Sequence, residues 1–218
     1  MFLTRMALDT NRAAANRALS QPDVLRDAIL ECFDGTMLRP LWRVDTLRDR
    51  QYLMILSLLR PTMYALHESF GILGAFPSWE TTYIGDTLGD LHTGDRLSFE
   101  LVACTERMTA AQGELADRIR CLPQGTTAAN RAWLLSHAEN CGFEVQEADI
   151  LVAPPVWQVF KPQGSEETHL YQQARFSGVL TVTEPELFVR SVMGGIGKGR
   201  KYGMGLMTVE PARHYIHT

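Results

Sequence analysis

Apolar and polar residues alternate over residues 2–8, which predicts a first β-strand. Residues 11–19 are rich in Ala and Arg and read as a helical turn or a loop. A clearer helix follows from about residue 20. Ser20 is placed to cap it, Pro22 suits its first turn, and Asp23 favours the positive end of its dipole. Leu25, Ala28, Ile29, Cys32 and Phe33 recur at helical spacing and form one apolar face, and Asp34-Gly35 ends the run. Residues 41–45 and 51–59 read as strands, the second nearly all apolar and therefore buried; Pro61 breaks it. Residues 63–70 fit a short helix, Thr93-Gly94-Asp95 a turn, and residues 96–104 a further alternating strand. The resulting order is strand, helix, strand, strand, short helix, strand. That is the split β-α-β order of a ferredoxin-like domain.

The second half repeats the order without repeating the residues. Residues 106–127 read as a connector ending in the turn cluster Pro123-Gln124-Gly125-Thr126-Thr127, which also suits a helix cap. A helix is predicted over 128–140, with Ala132, Trp133 and Leu135 among its apolar members. An extended segment runs from Gly142-Phe143 to residue 152 and is interrupted by Pro154-Pro155. Residues 156–161 and 175–182 form a hairpin with a long tip. A helix over 185–192 and a strand over 205–209 complete the set. The predicted fold is α+β, with two tandem ferredoxin-like domains: 1–105, a connector 106–127, and 128–218.

Composition adds limits to this picture. The chain has 218 residues, 45% hydrophobic and 21% charged, which suits one large domain or two of roughly 100 residues. Its formal net charge of −4 argues against a surface uniformly coated in positive charge. Nucleic-acid binding depends on where cations sit, not on their sum. Cys32, Cys104, Cys121 and Cys141 are widely spaced with no Cys-x-x-Cys pair, so neither zinc nor a disulfide framework is expected. No cofactor or metal is called for. The N-terminal residues do not read as a signal peptide, and no apolar run is long enough to span a bilayer. A soluble, cytoplasmic protein without membrane contact is expected.

The chemistry concentrates in residues 193–206, Met-Gly-Gly-Ile-Gly-Lys-Gly-Arg-Lys-Tyr-Gly-Met-Gly-Leu. Glycines at 194, 195, 197, 199, 203 and 205 allow close approach of backbone N–H groups to an anion, and successive N–H groups form a concave anion site. Lys198, Arg200 and Lys201 add the attraction a phosphate chain needs, and Tyr202 can stack on a base. The bland alternative is a basic loop with no ligand. A dinucleotide fingerprint fits poorly, because this loop follows a helix and leads into a strand. A Walker loop is excluded, since no Gly-Lys-Ser/Thr occurs here.

This loop resembles the C-terminal glycine-rich loop of CRISPR repeat endoribonucleases. Phe176-Ser177-Gly178-Val179-Leu180-Thr181-Val182 is similar to the Phe-x-Gly-x-Leu strand of the CasE branch, the RNA-processing proteins of type I-E systems. Leu41-Trp42-Arg43-Val44, Gly94-Asp95-Arg96-Leu97-Ser98-Phe99-Glu100-Leu101, and Ala132-Trp133-Leu134 with Gly142-Phe143 extend the likeness over nearly the whole chain. The resemblance implies a tandem ferredoxin-like protein that binds the stem-loop of a CRISPR repeat RNA. It implies cleavage at the hairpin's 3′ base by attack of the ribose 2′-OH, without a metal, and retention as a subunit of a Cascade-type effector. It also implies RNA contacts at Gly195, Gly197, Lys198, Gly199, Arg200, Lys201 and Tyr202. Arg118, Arg120, Arg131, Lys161 and Arg175 would line an RNA groove.

Two departures stand out. The family's catalytic histidine on its first helix falls at Arg26, and the tyrosine one turn earlier falls at Asp23. An arginine stays protonated and is a poor proton acceptor or donor, though it can stabilise a charged phosphorane. Asp23 stands three residues from Arg26 on one helix face, where the two would pair. Further along, Val102-Ala103-Cys104-Thr105-Glu106-Arg107 replaces a basic family stretch. Of His67, His92, His137, His169, His214 and His217, only His169, at the hairpin tip, merits a test; a solvated or packed ring is the simpler expectation for each. Three functions follow: a nuclease using Arg26 and Asp23, a non-catalytic cap on a guide-RNA hairpin, or a nucleotide-binding ferredoxin-like enzyme.

Overall fold

The computed structural model describes residues 1–34, 39–74, 76, 78–111, 126–160 and 166–212, with the side chains of 107–111 and 160 left aside. The chain forms two compact units. The first comprises Met1–Leu88 together with Gly199–Met204, and the second Gly89–Lys198 together with Gly205–Thr218.

The first unit carries β1 (Phe2–Leu8), α1 (Ala13–Ser20), α2 (Pro22–Glu31), β2 (Leu41–Leu47), β3 (Arg50–Ser57), α3 (Tyr64–Phe70), β4 (Trp79–Tyr83) and α4 (Gly85–Gly89). Its sheet order is β2-β3-β1-β4, with every pair antiparallel. That is the ferredoxin-like order, in which the outer strands 2 and 4 flank the central pair 3 and 1. Met6, Trp42, Leu53 and Ile55 from the sheet pack with Leu25, Ile29, Cys32 and Phe33 at α2, and with Leu66 and Phe70 of α3. The i, i+4 spacing of Leu25 and Ile29, extended by Cys32 and Phe33, therefore buries the face anticipated from the sequence.

The second unit carries β5 (Arg96–Ala111), α5 (Thr127–Ala138), β6 (Phe143–Val152), β7 (Val156–Phe160), β8 (Glu167–Val182), α6 (Pro185–Gly194) and β9 (Met207–Pro211). Its sheet order is β6-β8-β5-β9. With β5, β6, β8 and β9 as strands one to four, this is the same ferredoxin-like order. β5 pairs with β8 along its whole length, and β6 and β7 follow one another along the opposite edge of β8. Leu97, Phe99, Leu101, Phe176, Leu180, Phe188 and Leu134 are buried in this unit.

Several expectations need correction. The strand over 96–104 does not close the first domain: it opens the second sheet, pairing with β8 and β9. The fourth strand of the first sheet is β4, which pairs with β1 from Phe2↔Tyr83 to Met6↔Trp79. β4 is a mostly exposed edge strand, so burial imposes little apolar alternation on it and its sequence signal is weak. A boundary at 105 would thus cut through β5, and the connector 106–127 begins with strand as far as Ala111. Ser20 does not cap α2. It ends α1, its hydroxyl donating to the Arg17 carbonyl at 3.0 Å, and Gln21 occupies the cap position. On α5 the buried members are Asn130, Leu134 and Ala138. Thr126 caps this helix, its hydroxyl accepting from the Ala129 N–H at 3.1 Å.

Candidate functional site

α2 starts at Pro22, whose missing N–H costs nothing in a first turn. One turn in, Asp23 and Arg26 share a half-exposed face, as i, i+3 spacing requires. Arg26 donates from Nη1 to Asp23 Oδ1 at 2.8 Å and from Nε to Asp27 Oδ1 at 2.9 Å. Burial by itself lowers the Arg26 pKa. The hydrogen bond and charge of Asp27, with the charges of Asp23 and Tyr202, outweigh it and raise the pKa above its ordinary value. The guanidinium is therefore a fixed positive charge, unsuited to proton transfer. Asp23 falls where expected, as its partner. Asp27 was not anticipated, because adjacent residues on a helix point in different directions; the bend of the long arginine side chain reaches it.

The glycine-rich loop is shared between the units in sequence. In the second unit, Gly195 (φ 79°) ends α6, Lys198 bridges to Cys104, and Ile196 N–H donates to Gly205 O at 2.9 Å. In the first unit, Arg200–Tyr202 forms a single 3-10 turn between Gly199 (φ 77°) and Gly203 (φ 78°). This turn packs against α2 and β2. Lys198, Arg200 and Lys201 are exposed and Tyr202 is half-buried.

The loop's glycines also allow close packing on the core. At Gly203 the left-handed φ alone disfavours a side chain, and a Cβ would stand 2.7 Å from the Trp42 ring of β2. Trp42 is 4% exposed, so the loop seats its backbone on a core indole. The sequence hinted at both partners but not at their contact.

Other expected residues are placed differently. Arg131 donates from Nη2 to Ile150 O at 3.3 Å and lies 4.0 Å from Glu147. Arg175 lies 3.7 Å from Glu100. Arg118, Arg120 and Lys161 lie outside the described residues, as do Cys121, His214 and His217. His67 packs on Trp79, with its Nε2 at 3.1 Å from Ile72 O. His137 stacks on Trp133 at 4.2 Å. His169 stands in β8 opposite Phe160 and Thr109, within the sheet and not at a loop tip. Among the described residues no histidine stands on α2, no cluster of three or more His, Cys, Asp or Glu could hold a metal, and no helix is long and apolar enough to cross a membrane.

Known proteins match this arrangement along its full length. The chain is 27% identical over 225 residues to the CRISPR-associated endoribonuclease Cse3 of Thermus thermophilus, covering 97% of this chain and all of that protein. The fold superposes on a solved structure of Thermus thermophilus Cse3 bound to an RNA representing a pre-cleavage complex. The TM-score is 0.74 at 23% identity, covering 96% of this chain and 98% of that one. It also matches a chain of a CRISPR RNA-guided surveillance complex in its pre-nicking state, with a TM-score of 0.65 at 19% identity over 97% of this chain and 100% of that one. The family model for CRISPR associated protein matches residues 1–211, and the chain belongs to that family.

Proposed function

We propose that this protein binds the stem-loop of a CRISPR repeat RNA, cuts the precursor at the 3′ base of the hairpin, and stays on the guide's 3′ end within a Cascade-type complex in the cytoplasm. The observation that carries this is the Arg200–Tyr202 turn, with its exposed Arg200 and Lys201, seated on the helix that bears Arg26. A hairpin's phosphates are bound chiefly by such cations and by backbone N–H groups. Gly195, Gly197, Lys198 and Gly199 supply backbone or charge to the same loop, with Arg200 and Lys201 as the main phosphate contacts. Arg131 and Arg175 are proposed as weaker contacts, each held by a partly exposed carboxylate that a phosphate can displace. Arg118, Arg120 and Lys161 keep the role the resemblance implies.

Cleavage by 2′-OH attack passes through a phosphorane carrying extra negative charge. In this reading Arg26 neutralises it, and fixed charge of this kind is a large catalytic term. Asp23 then orients Arg26 and takes no proton itself. Neither residue needs a metal. A second reading, a guide-RNA cap without nuclease activity, is favoured by one observation: Arg26 is engaged by two carboxylates and is no proton carrier.

The test incubates purified protein with labelled repeat RNA from its own locus, with and without chelator, and follows binding and product ends together. A 2′,3′-cyclic phosphate product formed in chelator and lost with Arg26→Ala supports the nuclease. Tight, salt-sensitive binding without product supports the cap. Absence of binding overturns both.

A further inference from the structure

We propose that the tip of the β2–β3 hairpin and the sheet face beside it bind unpaired RNA flanking the repeat stem-loop, with Arg48 and Arg50 on phosphates and a base stacked on the Arg5–Tyr52 pair. This rests on the RNA-binding reading above and adds a second RNA surface to it. The register Leu47↔Arg50 leaves a two-residue loop, Arg48 and Asp49. Both have left-handed backbones, with φ of 48° and 64°. That is the pattern of a type I′ turn, which matches the twist of paired strands but strains ordinary side chains. Glycine or asparagine closes such a turn at lower cost, so turn geometry alone gives no reason for an arginine at 48. Arg48 and Arg50 are exposed, and among the described residues neither has an ion-pair partner.

Side chains alternate along β3. Leu53 and Ile55 point into the helix-covered core, so Arg50, Tyr52 and Met54 lie on the opposite face. Arg5 of β1 pairs with Met54 and shares that face. Its guanidinium carbon stands 5.6 Å from the centre of the Tyr52 ring. The Arg5 side chain is 46% exposed, and its contact with Glu80 at 3.0 Å is a solvated ion pair that is easily given up. Unpaired RNA is bound by this combination of groups: bases stack on aromatic rings and guanidinium planes, while cations track the backbone. A base-paired stem keeps its base faces stacked inside the duplex, so the Arg5–Tyr52 pair suits unpaired nucleotides.

α2 and the Arg200–Tyr202 turn lie on the helix side of the same sheet, with Gly203 seated on Trp42 near the start of β2. From Trp42 to Arg48 the extended chain runs about 20 Å. An RNA strand leaving the turn therefore follows β2 to the hairpin tip and crosses there to the face of Tyr52. The tip is the rim between the two faces. Its arginines neutralise the backbone where the strand bends round the sheet.

The experiment measures Kd against salt for two RNAs, the bare repeat hairpin and the same hairpin with unpaired flanks of about ten nucleotides. Each carries a 2′-deoxy residue at the scissile linkage so that it is not cut. The proteins are the full chain, a double variant with Arg48→Gly and Arg50→Gln, and Tyr52→Leu. The unsubstituted protein is expected to bind the flanked RNA more tightly and with the steeper salt slope. The double variant should lower that slope by about 1.4, equivalent to two single-strand phosphate contacts, and leave the bare hairpin unchanged. Its Tm should equal or exceed that of the unsubstituted protein, because glycine relaxes the left-handed position, so lost binding is not lost folding. Tyr52→Leu should weaken binding of the flanked RNA about 10-fold and leave the bare hairpin unchanged. Flanks that add nothing to affinity, or variants that affect both RNAs equally or neither, overturn the proposal while hairpin binding stands. Unsubstituted protein that binds neither RNA removes the RNA-binding reading, and this surface with it.

Discussion

Arg26 is 30% exposed and pairs with carboxylates that are themselves solvated, so its contacts contribute only about 0–1 kcal/mol to stability. In the proposed cleavage its role is chemical. Arg26→His would place an imidazole where a guanidinium cannot accept the 2′-OH proton. Single-turnover cleavage at pH 7.5 is expected to rise by roughly 10- to 100-fold and to fall as pH drops through about 6.5, where imidazole protonates. A flat pH profile with no gain would show that proton acceptance does not limit the reaction. Cys32, at the end of α2, is a residue of a different kind. Burial, aided by the charge of Glu31, pushes its thiol up to about 11 from 9.0. The folded state thus holds the thiol's proton longer than the unfolded chain. Its stabilising contribution is full below about pH 9 and is lost as pH rises towards 11. Urea titrations between pH 8 and 11 should show stability falling with pH, with a shallower fall in Cys32→Ala.

At the scale of elements, the glycine-rich loop does its work through backbone geometry. Gly203→Ala places a methyl group against Trp42 at a left-handed φ, and should cost at least ~1 kcal/mol in thermal or urea unfolding. It should also weaken RNA binding, because Arg200 and Lys201 move with the turn; unchanged affinity would mean the turn's seat on β2 is irrelevant to RNA. The loop was conspicuous in the sequence because six glycines and three cations crowd a short stretch. Its docking was not, since Trp42 lies far away along the chain and a buried tryptophan has many plausible partners. β1 was legible to its ends because Thr4, Met6 and Leu8 are buried on one face while Arg5 is exposed on the other, and edge strand β4 offered no such contrast.

For the whole molecule, a net charge of −4 requires RNA binding to come from a local patch. Replacing Lys198, Arg200 and Lys201 by Ala, singly and then together, should reduce the slope of log Kd against log salt by roughly 0.7–0.9 per lost phosphate contact. A slope that does not change would place the RNA elsewhere. The units are also interleaved in sequence, because the first takes Gly199–Met204 from near the C-terminus. A fragment ending at residue 105 would leave Trp42 without Gly203 and cut β5 away from β8 and β9. Such a fragment is expected to aggregate or give poorly dispersed NMR spectra, whereas two domains in simple succession would let it fold.

The fold class, most helices and strands, the basic glycine-rich loop and the arginine at position 26 can all be read from the chain alone. These are local properties, written in periodicity, in residue type, and in motifs a few residues long. Which sheet β5 joins, and that Asp27 shares Arg26 with Asp23, come only from the folded chain. Strand partners and side-chain neighbours depend on which surfaces are buried together across long stretches of chain. An alternating strand carries the same pattern whichever sheet receives it.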